Sequence, residues 1–358
     1  SVRLVGSEMC IRDSNKATSS FKSWLIHEKG LDKDLDVEIL GGPENTGFSN
    51  ETLSFIVTEK NKKSGYVLRF HPTGYFVFPE YDIEKQFLIM KHLRPLGIKV
   101  PEVVWYEPNP DFLESAFYVM KMCDGQAPSD NPPFHQEGWL FDSNEELRQK
   151  VWNGWIEEMS KIHKVEVSDD FNFLINAPAS VRPLDQDLSF YQSFYEWAIE
   201  SEKHEVLEQT MKWLRENKPK QSSDQFSIQW GDCRVPNVMY NEKGSVTGVL
   251  DWEMVGLGDP CQDLAWGIAI DDCNTDGINV QKLSGFPSKQ QTIELWEELT
   301  GLKSTNFNYY YLLAIYKFAV IMIRVVKKLE YYEIMPPGLD AHINNHASQM
   351  LQTKLGEM

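Results

Sequence analysis

The sequence predicts an α+β fold of two lobes: a small mixed β-sheet lobe with one main helix, then a larger and mostly helical lobe. Three observations predict it. Short β-rich runs crowd into residues 37–122. Amphipathic helical patterns dominate from residue 144 onward. A loop carrying Pro128, Pro132 and Pro133 lies between the two regions. The 358 residues suffice for two or three packed units, and 42% apolar residues rule out wholesale disorder.

Each element follows from its local pattern. Residues 1–14 (SVRLVGSEMCIRDS) show no clear period, look like translated sequencing-adapter read-through, and are expected to be a non-native leader. Asn15 to Lys29 reads as a helix, with Phe21, Trp24, Leu25 and Ile26 clustered and Gly30 as its stop. Val37 to Leu40, Thr52 to Thr58, Gly65 to Phe70, Pro101 to Tyr106 and Ala116 to Met122 read as strands. Between them Tyr81 to Leu93 reads as the lobe's helix, with Ile83, Phe87, Met90 and Leu93 on one face. Residues 15–122 are therefore assigned to the first lobe and 123–358 to the second. In the second, Asn144 to His163 is an amphipathic helix, Leu188 to Trp213 supplies two more, and Asp259 to Leu355 is mostly helical. A compact β patch interrupts them at Phe226 to Trp230, Asn237 to Tyr240 and Ser245 to Leu250. Asp259 fits a helix N-cap, Pro260 the first helical position and Asp263 the first turn, a structural role.

Composition excludes several function classes. Lys plus Arg number 35 and Asp plus Glu 53, a net charge of −18, which repels nucleic-acid backbones and anionic membranes. Acidity hints only weakly at a cationic substrate, because it also serves solubility. The five cysteines are odd in number and contain no C-x-x-C pair, which argues against a disulfide framework or structural zinc and for a reducing, cytoplasmic setting. Asn50-Glu51-Thr52 is read as a chance match to a glycosylation acceptor. The apolar stretch Tyr309 to Val326 is broken by Lys317 and Arg324 and reads as a buried helix. Gly256-Leu257-Gly258 is a fragment of a dinucleotide fingerprint and is set aside; no P-loop, H-E-x-x-H or G-x-S-x-G occurs.

The chemistry-bearing stretch is Phe226 to Trp266. A strand runs into Gly231-Asp232-Cys233-Arg234-Val235-Pro236-Asn237, and a hairpin turned at Asn241 to Gly244 returns to Asp251. The hairpin brings its ends together, so Asp232 and Asn237 before it approach Asp251 after it. Such oxygen donors suit Mg²⁺, which takes one or two protein carboxylates and completes its shell with water and phosphate. A neighbouring Asp can accept a hydroxyl proton. Asp, Asn five positions on, and a strand-end Asp match the base and metal ligands of kinases.

Gly231-Asp232-x-Arg234-x-x-Asn237, Val249-Leu250-Asp251-Trp252-Glu253 and Gly258-Asp259-Pro260-x-x-Asp263-Leu264-Ala265 together resemble the aminoglycoside phosphotransferase (kinase-like) family. The likeness is nearest the branch with kinase-like domains fused to acyl-CoA dehydrogenases, and runs from about Phe21 to Lys328. It implies a bilobal protein-kinase-like fold and Mg²⁺-dependent transfer of the γ-phosphate of ATP (or GTP) to a hydroxyl of a small molecule. Either a hydroxyacyl-CoA-like compound or an amino sugar is the implied acceptor. By the same resemblance Asp232 is the catalytic base, Asn237 and Asp251 hold Mg²⁺, and Gly47, Ser49 and Asn50 lie over the phosphates. Arg69 stands where kinases place the phosphate-pairing Lys, and Met120 to Met122 form the hinge that hydrogen-bonds the purine.

The chain departs from the family at three places. Trp230 replaces the usual His before Gly-Asp; an indole donates one hydrogen bond and accepts none. The helix carboxylate that should pair with Arg69 is assigned to Glu84, although the apolar pattern puts Gln86 in that place. Lys121 occupies a hinge position that is often acidic. These departures keep a second class open, a nucleotide-binding pseudokinase or scaffold. Arg234 is placed on a phosphate or as a brace for Asp251 or Asp263, Glu253 is read as solvated or bracing in preference to a contributor to the metal site, and His163 as a satisfied core histidine.

Overall fold

In a computed structural model the described residues are 18–41, 51–72, 74–175, 183–219 and 226–358. A helix over residues 18–27 (α1) opens the first lobe, and five strands follow. These are β1 (Asp36–Gly41), β2 (Glu51–Glu59), β3 (Lys62–Phe70), β4 (Val103–Glu107) and β5 (Phe117–Lys121). They form one sheet in the order β1-β2-β3-β5-β4, and every neighbouring pair is antiparallel. The helix α2 (Ile83–Leu93) sits between β3 and β4 in sequence. It starts two residues later than its apolar pattern predicts, because Asp82 caps it by accepting from the Lys85 N–H at 2.7 Å.

Strand alternation splits the sheet into two faces. Phe55, Val57, Leu68, Phe117 and Val119 point outward and pack with Phe21, Trp24 and Leu25 of α1 as a separate apolar cluster. Tyr118 and Met120 point inward and join the main core with α2. Arg69 lies opposite Tyr118 in the β3–β5 register, which puts it on the inner face. That alternation places one buried cation at the boundary between the lobes.

The second lobe holds α3 (Glu145–His163), α4 (Pro183–Ile199), α5 (Glu205–Glu216), α6 (Cys261–Cys273), α7 (Lys289–Thr300), α8 (Phe307–Tyr331) and α9 (His346–Gly356). Between α5 and α6 lie the short strands β6 (Ser227–Gln229), β7 (Val238–Tyr240), β8 (Val246–Val249) and β9 (Gly256–Gly258). β7 pairs with β8, as the hairpin reading expects. β9 pairs with β6, so the set-aside Gly256-Leu257-Gly258 is a strand. α8 is long and apolar enough to cross a membrane, but 83% of its apolar window is buried inside the protein, which is the behaviour of a core helix.

Several contacts join the lobes besides the β5 exit, two of them in the connecting segments. The Val249 N–H donates to the Lys99 carbonyl at 2.5 Å, tying the catalytic hairpin to the turn after α2. The segment between β3 and α2 also crosses to α8. There Arg324 donates twice to the Phe76 carbonyl (3.1 and 3.0 Å) and lies between the Tyr75 and Trp197 rings, 4.1 Å from each centroid. Phe78 meets Phe194 of α4 at 5.8 Å between ring centroids.

Candidate active site

The turn out of β6 is shaped by close backbone approach. Gly231 has φ of +93°, and an added Cβ would lie 2.3 Å from the Met254 carbonyl oxygen, so no side chain fits. This contact presses the Asp232 loop against the segment after β8. Trp230 sits beneath it, fully buried, and its indole N–H donates to the Leu250 carbonyl at 2.7 Å. The indole thus braces the residue before Asp251 through the single donor it owns.

Asp263, in the first turn of α6, is the anchor of the loop. Its carboxylate accepts from the Trp230 N–H (2.7 Å), the Gly231 N–H (3.1 Å) and His163 Nε2 (3.0 Å). The Trp296 indole N–H donates to His163 Nδ1 at 3.0 Å, so Nε2 carries the proton given to Asp263. His163 is the satisfied core histidine expected. Asp259 accepts from the Cys261 N–H at 2.9 Å, but the helix begins one residue later than expected, at Cys261, so Pro260 and not Asp259 occupies the N-cap position.

Asp232 is 9% exposed and held on several sides. Its carboxylate accepts from the Trp266 indole at 2.8 Å, from Arg234 Nε at 3.0 and 3.1 Å, and from Asn237 Nδ2 at 2.7 Å. The Asn237 amide also donates to the Asp232 carbonyl at 2.9 Å, closing the loop on itself. Arg234 pairs with Asp130 at its other end. Burial disfavours its charge, but Asp130 and Asp232 outweigh that and raise its pKa. Arg234 therefore braces Asp232, not the Asp251 or Asp263 that sequence reasoning offered it.

The Leu250 N–H donates to the Asn237 carbonyl at 2.8 Å, which sets Asp251 one residue beyond Asn237's backbone partner. Asp251 adopts φ of +56°, a left-handed conformation that Asp tolerates better than most residues. Its carboxylate pairs with the Arg69 guanidinium from the first lobe, and Glu253 lies 3.7 Å from the same guanidinium. Arg69 is 7% exposed; burial lowers its pKa, and Asp251, Tyr118 and Glu253 more than reverse this.

The other expected site residues fall out unevenly. Glu84 is exposed on α2 and is not brought to Arg69. Gln86 faces inward instead, 1% exposed, and its Oε1 accepts from the Tyr118 hydroxyl at 3.3 Å. The physical reason is helix phase: a residue two positions along points to a different side. The Arg69–Glu84 pairing is therefore corrected to Arg69 with Asp251 and Glu253. Met120 is buried in the ladder between β3 and β4. In the Met120 to Met122 hinge expected to hydrogen-bond the purine, the Met122 N–H donates to the Gly65 carbonyl at 3.0 Å. Lys121 pairs with Glu102 at 2.7 Å. Gly47, Ser49 and Asn50 lie outside the described residues.

Sequence reasoning missed Trp266 and Asp130 as partners of the Asp232 loop, and a cluster one helical turn away. Gln262 of α6 accepts from Lys317 of α8 at 3.2 Å, and Lys317 pairs with Asp187 of α4 at 2.5 Å. Lys317 also lies 4.9 Å from the Tyr191 ring centroid. The Trp266 indole donor and the i, i+4 spacing to Gln262 were the signals present in the sequence.

Among the described residues no group of three or more His, Cys, Asp or Glu side chains is gathered to hold a metal ion by itself. The Asp251 carboxylate and Asn237 amide fit the sparser protein share that Mg²⁺ takes when phosphate and water complete its shell.

A five-stranded antiparallel sheet lobe followed by a helical lobe is the architecture of a kinase-like fold. Residues 45–284 match the phosphotransferase enzyme family (APH), and the chain belongs to it. The human acyl-CoA dehydrogenase family member 11 is 25% identical over 268 residues, covering 72% of this chain and 32% of that protein. Mouse acyl-CoA dehydrogenase family member 10 is 24% identical over 271 residues, covering 73% of this chain and 24% of that protein. The chain thus spans a third or less of the length of these relatives. Among solved structures, a Ralstonia eutropha protein described as an aminoglycoside phosphotransferase superposes with a TM-score of 0.72 at 19% identity, covering 95% of this chain and 98% of that one. A Plasmodium vivax ethanolamine kinase gives 0.60 at 13% identity, covering 93% and 86%. An aminoglycoside phosphotransferase in ternary complex with ADP and hygromycin B gives 0.56 at 15% identity, covering 94% and 98%.

Proposed function

We propose that this chain transfers the γ-phosphoryl group of ATP (or GTP) to a hydroxyl of a small molecule, with Mg²⁺ as the companion ion. The observation that carries the reading is the braced Asp232 carboxylate one loop away from Asp251, with Arg69 reaching Asp251 from the opposite lobe. Asp232 orients the acceptor hydroxyl and takes its proton as the new P–O bond forms and the bond to the nucleoside diphosphate breaks. Trp266 and Arg234 fix the direction of that carboxylate. Arg69 offers a permanent cation to the phosphates. Asn237 and Asp251 would hold Mg²⁺, which neutralises phosphate charge when bound.

A hydroxyacyl thioester suits the described surroundings better than an amino sugar. Asp130 and Asp187, the acidic groups flanking the Asp232 loop and its neighbouring helices, are matched by Arg234 and Lys317, which leaves less negative charge for a polycation. The relatives that carry acyl-CoA dehydrogenase names support the same choice. Free thiols at Cys123, Cys233, Cys261 and Cys273 agree with a proposed cytoplasmic, reducing location. The test is a nucleoside-diphosphate release assay over hydroxyacyl-CoAs, amino sugars and small amino alcohols, with Mg²⁺ and either nucleotide. Turnover on the hydroxyacyl-CoAs that disappears in Asp232→Asn is the expected result. Turnover on amino sugars alone would reverse the acceptor, and nucleotide binding without turnover on any acceptor would leave the pseudokinase reading standing.

A further inference from the structure

Lys317 of α8 sets a cation where three helices meet beside the catalytic loop. Its ammonium lies 2.5 Å from Asp187 of α4, 3.2 Å from Gln262 Oε1 of α6 and 4.9 Å from the centroid of the Tyr191 ring. Gln262 stands one turn before Trp266 on α6, so the two side chains share a face about 5.4 Å apart along the axis. Trp266 is the residue whose indole donates to Asp232 at 2.8 Å. Phe318, next to Lys317 on α8, meets the Trp266 ring at 6.4 Å between centroids. Burial raises the pKa of the Tyr191 hydroxyl, and the charges of Asp187, Asp232 and Glu253 raise it further, so this ring lies within electrostatic reach of both Asp187 and the base.

A carboxylate beside an aromatic ring is the recognition chemistry of an alkylammonium ion. Asp187 and Tyr191 make such a pair, but the chain's own ammonium fills it. Among the described residues Lys317 is the cation paired with Asp187, and no other group donates to its buried Oδ2. The pair is not sealed, since the Lys317 and Asp187 side chains are 12% and 21% exposed. A second ammonium brought there would meet a like charge at contact and find its carboxylate taken. We propose that Lys317 is a specificity-determining residue that occupies an ammonium subsite in the acceptor wall and confines the acceptors to neutral or anionic hydroxyl compounds. Amine rejection is then the property of one side chain. Lys317→Ala would leave the carboxylate, the ring and the space of three methylenes and an ammonium.

This inference rests on the phosphotransferase reading above. The experiment compares the full chain as wild type, Lys317→Ala, Lys317→Met and the double variant Lys317→Ala/Asp187→Asn. Binding of n-propylammonium, the part of lysine that alanine lacks, is measured by calorimetry. Nucleoside-diphosphate release is measured with Mg²⁺, ATP or GTP, and ethanolamine, longer ω-amino alcohols or hydroxyacyl-CoAs. Lys317→Ala is expected to bind n-propylammonium and to gain at least about tenfold in kcat/KM on an amino alcohol, the factor that one charge contact of ~1.4 kcal/mol supplies. Wild type lacks the space and the double variant lacks the carboxylate, so neither is expected to bind the ion or to use amino alcohols. Lys317→Met keeps the stem packed while freeing Asp187; it covers the case of a poorly folded alanine variant and is expected to gain on amino alcohols by a smaller factor. Wild-type turnover on amino alcohols equal to that on its best acceptor would overturn the proposal. So would n-propylammonium binding indifferent to Asp187→Asn, or folded Lys317 variants that neither bind nor use amines. Binding of n-propylammonium by Lys317→Ala, with no turnover of any acceptor by any protein, would overturn the phosphotransferase reading and leave the ammonium subsite standing.

Discussion

The two halves of the cleft are finished to different degrees. On the helical side Asp232 accepts from Trp266, Arg234 and Asn237, and Asp263 accepts from two backbone N–H groups and His163. On the sheet side Arg69 and Gln86 each keep a buried nitrogen without a partner. A satisfied network in a low-dielectric interior is rigid, whereas an unsatisfied donor is a cost that a ligand can relieve. At the cleft the Asp232 loop is the more fully hydrogen-bonded side, although the Ser227 and Tyr240 hydroxyls of the flanking strands β6 and β7 are also buried without a partner.

The largest effect should come from breaking the finished side at its reactive group. Asp232→Asn keeps the size and much of the hydrogen bonding but cannot take a proton, and should lower turnover by roughly 10²- to 10⁴-fold. Steady-state rates together with a melting curve separate this from unfolding, and near-wild-type turnover in a folded variant would remove Asp232 from the mechanism. Asp263→Ala should be next. It strips the partner from two buried N–H groups and from His163, and should cost about 3–5 kcal/mol in urea unfolding. A loss under ~1 kcal/mol would mean that the loop is held by something other than α6.

The unfinished side is probed by adding ligand. Mg-ATP at a hundred times its dissociation constant should add about 2.7 kcal/mol of stability. Hydrogen-exchange protection should rise mainly in β2, β3 and α2, with little change around Asp232. Equal gains in both regions would erase the contrast. The smallest effect expected is from Trp230→Phe, which removes the indole donor to the Leu250 carbonyl. It should cost about 1 kcal/mol in unfolding free energy plus any loss of packing, with modest change in turnover. A thousandfold loss of rate there would show that the indole positions Asp251 far more tightly than one hydrogen bond suggests.

What the sequence revealed tracks the distance over which information had to travel. Asp232, Asn237 and Asp251 were legible because one hairpin joins them, and hairpins announce themselves locally. The strands and helices were legible from period, to within a few residues at their ends. Gln86 was misjudged in favour of Glu84 because charge, not helix phase, drove the choice. Asp130 and Trp266 were invisible as partners of the Asp232 loop, since Asp130 meets Arg234 from 104 positions away and Trp266 meets Asp232 from 34. β9 was missed because three residues, two of them glycine, carry no periodic signal. Trp230 was read correctly from chemistry alone, as a residue limited to one donor.

The crossing segment between β3 and α2 bears on how the cleft can breathe. Tyr75 and Phe76 are fastened to α8 through Arg324, and the Tyr332 hydroxyl accepts from the Tyr75 N–H at 3.3 Å. The lobes are therefore joined at the exit of β5, at the Val249–Lys99 hydrogen bond, through the Arg69–Asp251 pair and again beyond the end of β3. Any relative motion of the lobes has to respect all of these, and twisting one lobe over the other would pull Arg324 from between the Tyr75 and Trp197 rings.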